Sequence, residues 1–364
     1  MVERWPVKRW QVWGSFGVSA VGVLLSAVML WEVWLPVDFP PLALLGVFFP
    51  FLAAPAMIML ILALWIKSRG GFFFNGLVLA GLLAFYGPCF LPQRSSTVFG
   101  SSSTMRVMTF NLRYEYYDPA DLTSTILLQG ADVVAVQEVA PSVMPDLMAG
   151  LGESFQFVVP VSPLSDLALF SRYPIVASEW FCPAGNGQGA LHAVLDIEGR
   201  PWHIFAVHPL PAKITRLGNT FIPTGLHYGN LEAQMADVLE RARVIKEPLV
   251  VLGDFNMAER SRTYRLISRQ LLDTFHEAGQ GLGFTFPQDV WIDGWQIPGP
   301  FVRLDYIFHS AGILARDVRV VCEGASDHCL VNVSKLANRF VRKRNLFGLH
   351  AFGARGRTAR SYRF

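Results

Sequence analysis

The chain has 364 residues, enough for two or three domains at roughly 150 residues each. It is 52% hydrophobic and only 16% charged, with a mean hydropathy of +0.35, which excludes a disordered chain and is too apolar for an ordinary soluble one. The net charge of +3 averages three unlike segments: residues 1–104 carry six Lys/Arg against three Asp/Glu, residues 105–334 sixteen against twenty-five, and residues 335–364 nine against none. A hydrophobic head, an acidic body and a basic tail point to contact with a membrane or a polyanion. The four cysteines (Cys89, Cys182, Cys322, Cys329) include no Cys-x-x-Cys pair, which speaks against a zinc ribbon or a dense disulfide scaffold.

The head, residues 1–92, holds three uncharged runs: Val12–Trp31, Leu42–Ile66 and Phe72–Leu91. At about 1.5 Å per residue each is long enough to cross a hydrocarbon core of about 30 Å. Pro50 and Pro55 predict a kink in the second run, which a membrane helix tolerates when neighbours satisfy the freed carbonyls. Three such runs in succession disfavour buried helices of a soluble protein, and two later spans disfavour a cleaved signal peptide. Arg4, Lys8 and Arg9 precede the first span, and Lys67 and Arg69 separate the second from the third. Only acids, Glu32 and Asp38, lie between the first and second. The positive-inside rule therefore puts the N-terminus in the cytoplasm and everything after Leu91 outside it. The spans contain almost no polar residues, which argues against a transporter. Residues 93–104 (QRSSTVFGSSST) read as a linker.

The body, 105–334, changes to short β-like runs separated by turns. Strands are expected at 106–112, 132–137, 167–171, 190–197, 202–207, 249–252, 304–308, 318–321 and 329–333. Helices are expected at 120–129 and 229–244, the latter with Leu231, Met235, Val238 and Leu239 at helical spacing. Mixed strands and helices over this length predict an α/β or α+β sandwich. Polar residues stand at the ends of the apolar strands: Asn111, Gln137 with Glu138, His208, Asp254 with Asn256, Asp305, and Asp327 with His328. Several strands thereby deliver side chains to one cleft. Strand alternation would put Asp254 and Asn256 on one side of the chain; the plainer alternative for that pair is an Asx turn. The inventory has no Cys ligand and is rich in oxygen donors, which suits a hard ion such as Mg²⁺ or Mn²⁺. A nearby His–Asp pair supplies proton transfer. His192, His203, His227, His276, His309 and His350 fall in no motif and are read as surface or packing residues. Cys322 and Cys329 would pair in an oxidising compartment, but spacing alone leaves their pairing open.

At these residues the chain resembles the endonuclease/exonuclease/phosphatase superfamily, which includes type I deoxyribonucleases, abasic-site endonucleases, inositol-phosphate phosphatases and neutral sphingomyelinases. The matching stretches are TFNLR (109–113), QEV (137–139), LFSRYP (169–174), HPLP (208–211), GDFNM (253–257), RLDYIF (303–308) and SDH (326–328), in the family's order across nearly the whole body. The resemblance implies a four-layer sandwich of two mixed β-sheets flanked by helices, as in deoxyribonuclease I, preceded here by three transmembrane helices. It implies that Glu138 is the main metal ligand, with Asn111 and Asp327 completing or supporting its shell. Asp254 would orient or deprotonate the attacking water, and Asn256 would bind a phosphate oxygen. His328, held by Asp305, would act as base or balance phosphate charge, and His208 would contact the phosphate or assist the leaving group. Arg113 stands where some members carry a further acid, which leaves one or two metals open.

The basic tail, 335–364, is read either as a solvated segment or as an adhesive for anionic headgroups. Together these features predict a metal-dependent phosphoesterase anchored in a bacterial plasma membrane, with its catalytic domain outside the cytoplasm. Three spans favour a lipid-linked phosphate as substrate. A nuclease is the alternative, disfavoured because a body at net −9 is poorly suited to neutralising nucleic-acid phosphates. A catalytically inactive lipid-phosphate-binding module is an alternative of another class, and no protein partner is predicted.

Overall fold

The computed structural model describes residues 9–34, 39–91, 104–114, 118–185, 188–220, 222–292, 294–324, 326–338 and 362–363. The expected linker lies outside the described residues apart from Thr104, and most of the basic tail lies outside them as well. In chain order the head forms α1 (Arg9–Trp34), α2 (Pro40–Val47), α3 (Ala53–Ile66) and α4 (Arg69–Tyr86). The body follows with β1 (Thr104–Asn111), α5 (Pro119–Leu128), β2 (Val133–Gln137), α6 (Met144–Leu151), β3 (Phe157–Val159), β4 (Ala168–Ser171), β5 (Ile175–Phe181), β6 (Ala190–Asp196) and β7 (Pro201–Val207). A hairpin of β8 (Lys213–Arg216) and β9 (Pro223–His227) precedes α7 (Leu231–Arg243), β10 (Leu249–Asp254), α8 (Arg262–Ser268), β11 (Leu272–Asp273) and α9 (Thr274–Ala278). The chain ends its fold with the short pair β12 (Trp291–Ile292) and β13 (Trp295–Gln296), then β14 (Asp305–His309), β15 (Ile313–Val321) and β16 (Leu330–Asn338). β16 runs four residues past the boundary drawn at 334.

The chain divides into two units. The first comprises residues 1–91, 213–227 and 258–262. Its three stretches Arg9–Glu32, Phe49–Ile66 and Arg69–Phe90 are long and apolar enough to span a membrane. The second run does not form one helix from Leu42. It breaks into α2, a 3₁₀ turn at Phe49–Leu52, and α3. Pro50 has no N–H and its ring would clash with the carbonyl four residues back, whereas Pro55 falls in the first turn of α3, where no N–H is needed. Small and polar residues join the helices. Ser15 Oγ donates to Ser68 Oγ at 2.7 Å, and Asn75 Nδ2 donates to the Val18 carbonyl at 3.3 Å and the Gly71 carbonyl at 2.8 Å. Gly22 lies against Asn75 and Gly71 against Val18, so α1 and α4 approach closely.

The second unit is a layered sandwich. One sheet runs β15-β16-β1-β2-β4-β3, with the backbone of Tyr362–Arg363 at its edge, and the other runs β11-β14-β10-β7-β6-β5. Strand alternation sorts each strand between two cores. Val107 of β1, Val133 and Ala135 of β2, Ile204 and Ala206 of β7, Val250 and Leu252 of β10 and Ile307 of β14 meet in the layer between the sheets. The intervening Met108, Phe110, Val134 and Val136 pack beneath α5 and α6. Phe205, Val251, Tyr306 and Phe308 pack beneath α7 and α8. The order is therefore helices, sheet, sheet, helices, the four layers expected from the resemblance.

Candidate active site

The same alternation that fills the inter-sheet layer with Val and Ile places polar residues at one end of it. Continuing two residues along the inward face leads from Val107 through Thr109 to Asn111, from Ala135 to Gln137, from Ala206 to His208, from Leu252 to Asp254 and from Ile307 back to Asp305. The pairings Asn111↔Gln137, Val207↔Gly253 and Asp254↔Asp305 align these ends. Gly253 is required for the second of them. At φ +150 a Cβ there would stand 1.9 Å from the Val207 carbonyl oxygen, so only glycine lets β10 lie this close to β7 one residue before Asp254.

Glu138 follows β2 out of phase with the inward face. It sits at φ +56, and this left-handed turn brings its carboxylate to the site. Asn111 Nδ2 donates to both Glu138 Oε1 and Asp254 Oδ2 at 3.0 Å, while its Oδ1 accepts from the Arg113 backbone N–H. His208 Nε2 stands 3.8 Å from Glu138 Oε1 and 3.7 Å from Asp254 Oδ2, and His328 Nε2 lies 3.8 Å from the same Asp254 oxygen. His328 Nδ1 meets Asp305 Oδ2 at 2.8 Å. The carboxylates and imidazoles expected to work together thus face one another around Asp254.

Asn256 and Asp327 stand differently. Alternation stops where β10 ends, at Asp254, so it does not extend to Asn256 as the sequence pattern suggested. Asn256 lies at φ +50, and its backbone N–H donates to Asp254 Oδ1 at 2.8 Å in an Asx turn. Its Nδ2 donates to the Pro209 carbonyl at 2.9 Å, tying the GDFN and HPLP stretches together. Asp327 faces the Arg113 guanidinium at 3.8 Å.

Asp166, Tyr114, Ser326 and Thr285 support the site and are not among the candidate residues read from the sequence. Asp166 meets His208 Nδ1 at 3.0 Å and accepts from Tyr114 Oη at 2.6 Å. It escapes a search of strand ends because it precedes β4, which runs antiparallel to β2 and so begins at the site. The only signal was one acid before the apolar LALF. Ser326 Oγ donates to the Asn111 carbonyl at 2.6 Å and accepts from the His328 N–H at 3.0 Å. Thr285 Oγ1 accepts from the Asp305 N–H at 3.2 Å. Cys322 and Cys329 are disulfide-bonded and close the loop that carries Asp327 and His328.

Burial sets the electrostatics. It pushes the Asp254 carboxyl up to about 6, with Asp305 adding to the rise against the pull of His328 and His208. Burial opposes charge on His328, yet Asp305 and Asp254 outweigh it and raise the imidazole to about 10. His208 is raised likewise, burial being overcome by the hydrogen bond and charge of Asp166. Burial raises Asp327. One Asp305 oxygen, Oδ1, is buried with no hydrogen-bond partner. The crowding of carboxylates fits a site completed by a cation. Oxygen donors of this kind suit a hard divalent ion.

The sequence profile of the Endonuclease/Exonuclease/phosphatase family matches residues 108–328, well over half of the chain, and the chain belongs to that family. Its members hydrolyse phosphoester bonds. Among curated proteins none matches the chain by sequence. The structure is similar to an endonuclease/exonuclease/phosphatase from Bacteroides vulgatus, with a TM-score of 0.52 and 19% identity over 65% of this chain and 99% of the other. It is similar to a mannosyl-6-phosphatase from Bacteroides thetaiotaomicron, with a TM-score of 0.50 and 16% identity over 64% of this chain and 99% of the other. A third similarity is to D. rerio TDP2 complexed with single-stranded DNA product, at a TM-score of 0.50 and 16% identity over 65% and 100% of the two chains. At these identities the likenesses establish the shared fold.

Proposed function

We propose that this protein is a membrane-anchored, divalent-metal-dependent phosphoesterase whose catalytic domain faces away from the cytoplasm and acts on a lipid-linked phosphate, phosphodiester or pyrophosphate. The observation that carries the reading is the convergence of Glu138, Asp254, His208 and His328, joined through Asn111, at the polar end of the inter-sheet layer.

Two donor sets invite an ion. Asp254, Asp305 and His328 offer ligand atoms within 4.8 Å of one another, but the Asp254 and Asp305 side chains are only 2% and 0% exposed and Asp305 is already engaged with His328. Glu138 and Asp327 are 26% and 21% exposed. Mg²⁺ dehydrates reluctantly and keeps several waters, which favours the open pair. Glu138 would be the main ligand, with Asp327 completing the shell and Asn111 fixing the Glu138 carboxylate. When bound, the ion polarises a phosphoryl oxygen. Asp254 orients the attacking water and accepts its proton. Asp305 holds His328 in one orientation, and its imidazolium balances the charge of the phosphate. Asp166 does the same for His208 on the leaving-group side, and Asn256 lines the phosphate pocket beside Pro209.

The outward orientation rests on the positive residues beside the spans. The Cys322–Cys329 disulfide supports it, because such bonds persist in oxidising compartments. The fold neighbours include a phosphatase and a DNA-bound protein, so the fold accommodates either substrate class. The acidic body and the spans favour the lipid-linked one. The test is hydrolysis by the purified full chain with Mg²⁺ or Mn²⁺, comparing a polyprenyl pyrophosphate, a phospholipid and plasmid DNA, each with and without chelator. The lipid-linked substrates should be cleaved, and chelator should abolish it. Cleavage of DNA alone would replace the substrate, and three intact substrates under every metal would refute the enzyme.

A further inference from the structure

The hairpin β8–β9 belongs to the unit of membrane-length helices, although in the chain it lies inside the body, beginning five residues after His208. In that unit it packs on α2: a Cβ on Gly225 would stand 2.6 Å from Pro40. α2 leads directly into the Phe49–Ile66 stretch. The same end of the bundle is marked by Arg260, whose Nη2 donates to the Glu32 carbonyl at 2.9 Å. Its guanidinium lies over the Phe49 and Phe85 rings at 4.8 and 5.0 Å. Glu32 is where the first span ends, Phe49 where the second begins and Phe85 lies near the end of the third. The hairpin therefore packs at an end of the bundle where the membrane-length stretches terminate.

Its surface combines exposed apolar side chains with cations and lacks acids. Ile214 on β8 and Leu217 and Ile222 at the turn are 56%, 57% and 57% exposed, three apolar side chains within one short hairpin rather than scattered single residues. Lys213 and Arg216 accompany them, and no Asp or Glu occurs from His208 to Leu231, in a body that otherwise carries an excess of acids. Exposed apolar side chains flanked by cations suit the layer where acyl chains meet anionic headgroups.

We propose that β8–β9 is an interfacial lipid-binding hairpin: Ile214, Leu217 and Ile222 enter the headgroup layer of an anionic phospholipid bilayer, and Lys213 and Arg216 bind its phosphates. The inference does not depend on the hydrolytic reading. The full chain, with Cys89→Ser and Cys182→Ser to leave no free thiol among its native cysteines, is reconstituted into mixed phosphatidylcholine and phosphatidylglycerol vesicles. Either Leu217→Cys or Ile222→Cys carries an environment-sensitive fluorophore. The expected result is a roughly twofold or greater loss of emission with headgroup nitroxide lipid, little quenching by aqueous iodide, and weaker nitroxide quenching after Lys213→Glu with Arg216→Glu. Strong iodide quenching at both positions would overturn the proposal by showing a water-exposed tip. Protection from both quenchers would overturn it by showing a protein cover.

Discussion

One layer of side chains between the two sheets has two opposite characters. Along most of its length it is Val, Leu and Ile, with Trp202, Ile204, Val250, Leu252 and Ile307 fully or nearly fully buried. At one end the same faces of the same strands carry Asn111, Gln137, His208, Asp254 and Asp305, of which Asp254 and Asp305 are each 1% exposed. The apolar end lowers the free energy of the fold by removing hydrocarbon from water. The polar end opposes folding by desolvating charges, and what it provides is a set of poised groups. Stability and chemistry therefore share strands but divide the length of the layer.

Substitutions at the two ends should separate these roles. The largest effect is expected at the polar end. Glu138→Gln or His328→Ala should lower turnover by about three or more orders of magnitude, with an unchanged circular dichroism spectrum. Asp254→Asn should do the same while leaving the unfolding midpoint equal or higher, since it removes a buried charge from a crowded set. An Asp254→Asn protein that unfolds earlier would contradict the division. At the apolar end, Leu252→Ala should cost about 2–5 kcal/mol in denaturant unfolding, with turnover by the folded fraction retained. Opening the Cys322–Cys329 bond, by reductant or by Cys322→Ser with Cys329→Ser, should cost about 2 kcal/mol for so short a loop. Turnover should fall by more than stability accounts for, because the loop positions His328.

The smallest effect tests a histidine outside the site. His192 stacks on Phe205 and meets His203 at 2.9 Å, as a packing residue. Burial, with the charge of His203, depresses it to about 4. The unfolded chain then binds the extra proton between pH 4 and 6.5, so stability is full at neutral pH and falls as pH drops through that window. His192→Phe should flatten this limb of the stability profile by about 1 kcal/mol after solvent screening. An unchanged acid limb would show that other groups cause it.

Much of the site is legible in the sequence because alternation and apolar runs make it so. TFN, VLGD and the IFAVH run each read as an inward-facing strand ending in a polar residue, and Asn111, Asp254 and His208 stand there. What alternation does not encode was legible only through motif: Glu138 reaches the site through a left-handed turn, and His328 from a loop. Asp166 was missed because its importance depends on β4 running antiparallel, which is a tertiary fact. Helix α6 and strands β3 and β5 have short or mixed patterns that periodicity does not resolve. The hairpin β8–β9 is exposed on nearly every residue and carries no alternation of burial. The break at Pro50 was legible as a kink, while its division of the second run into α2 and a shorter spanning stretch was not.

The account depends most on a divalent ion being held at the polar end by Glu138. Titration of the full chain with Mn²⁺, followed by electron paramagnetic resonance of the free ion, tests this directly. The prediction is saturable uptake by the unaltered protein that is lost in Glu138→Gln and retained in His192→Phe. Equal uptake by the unaltered protein and Glu138→Gln would contradict it.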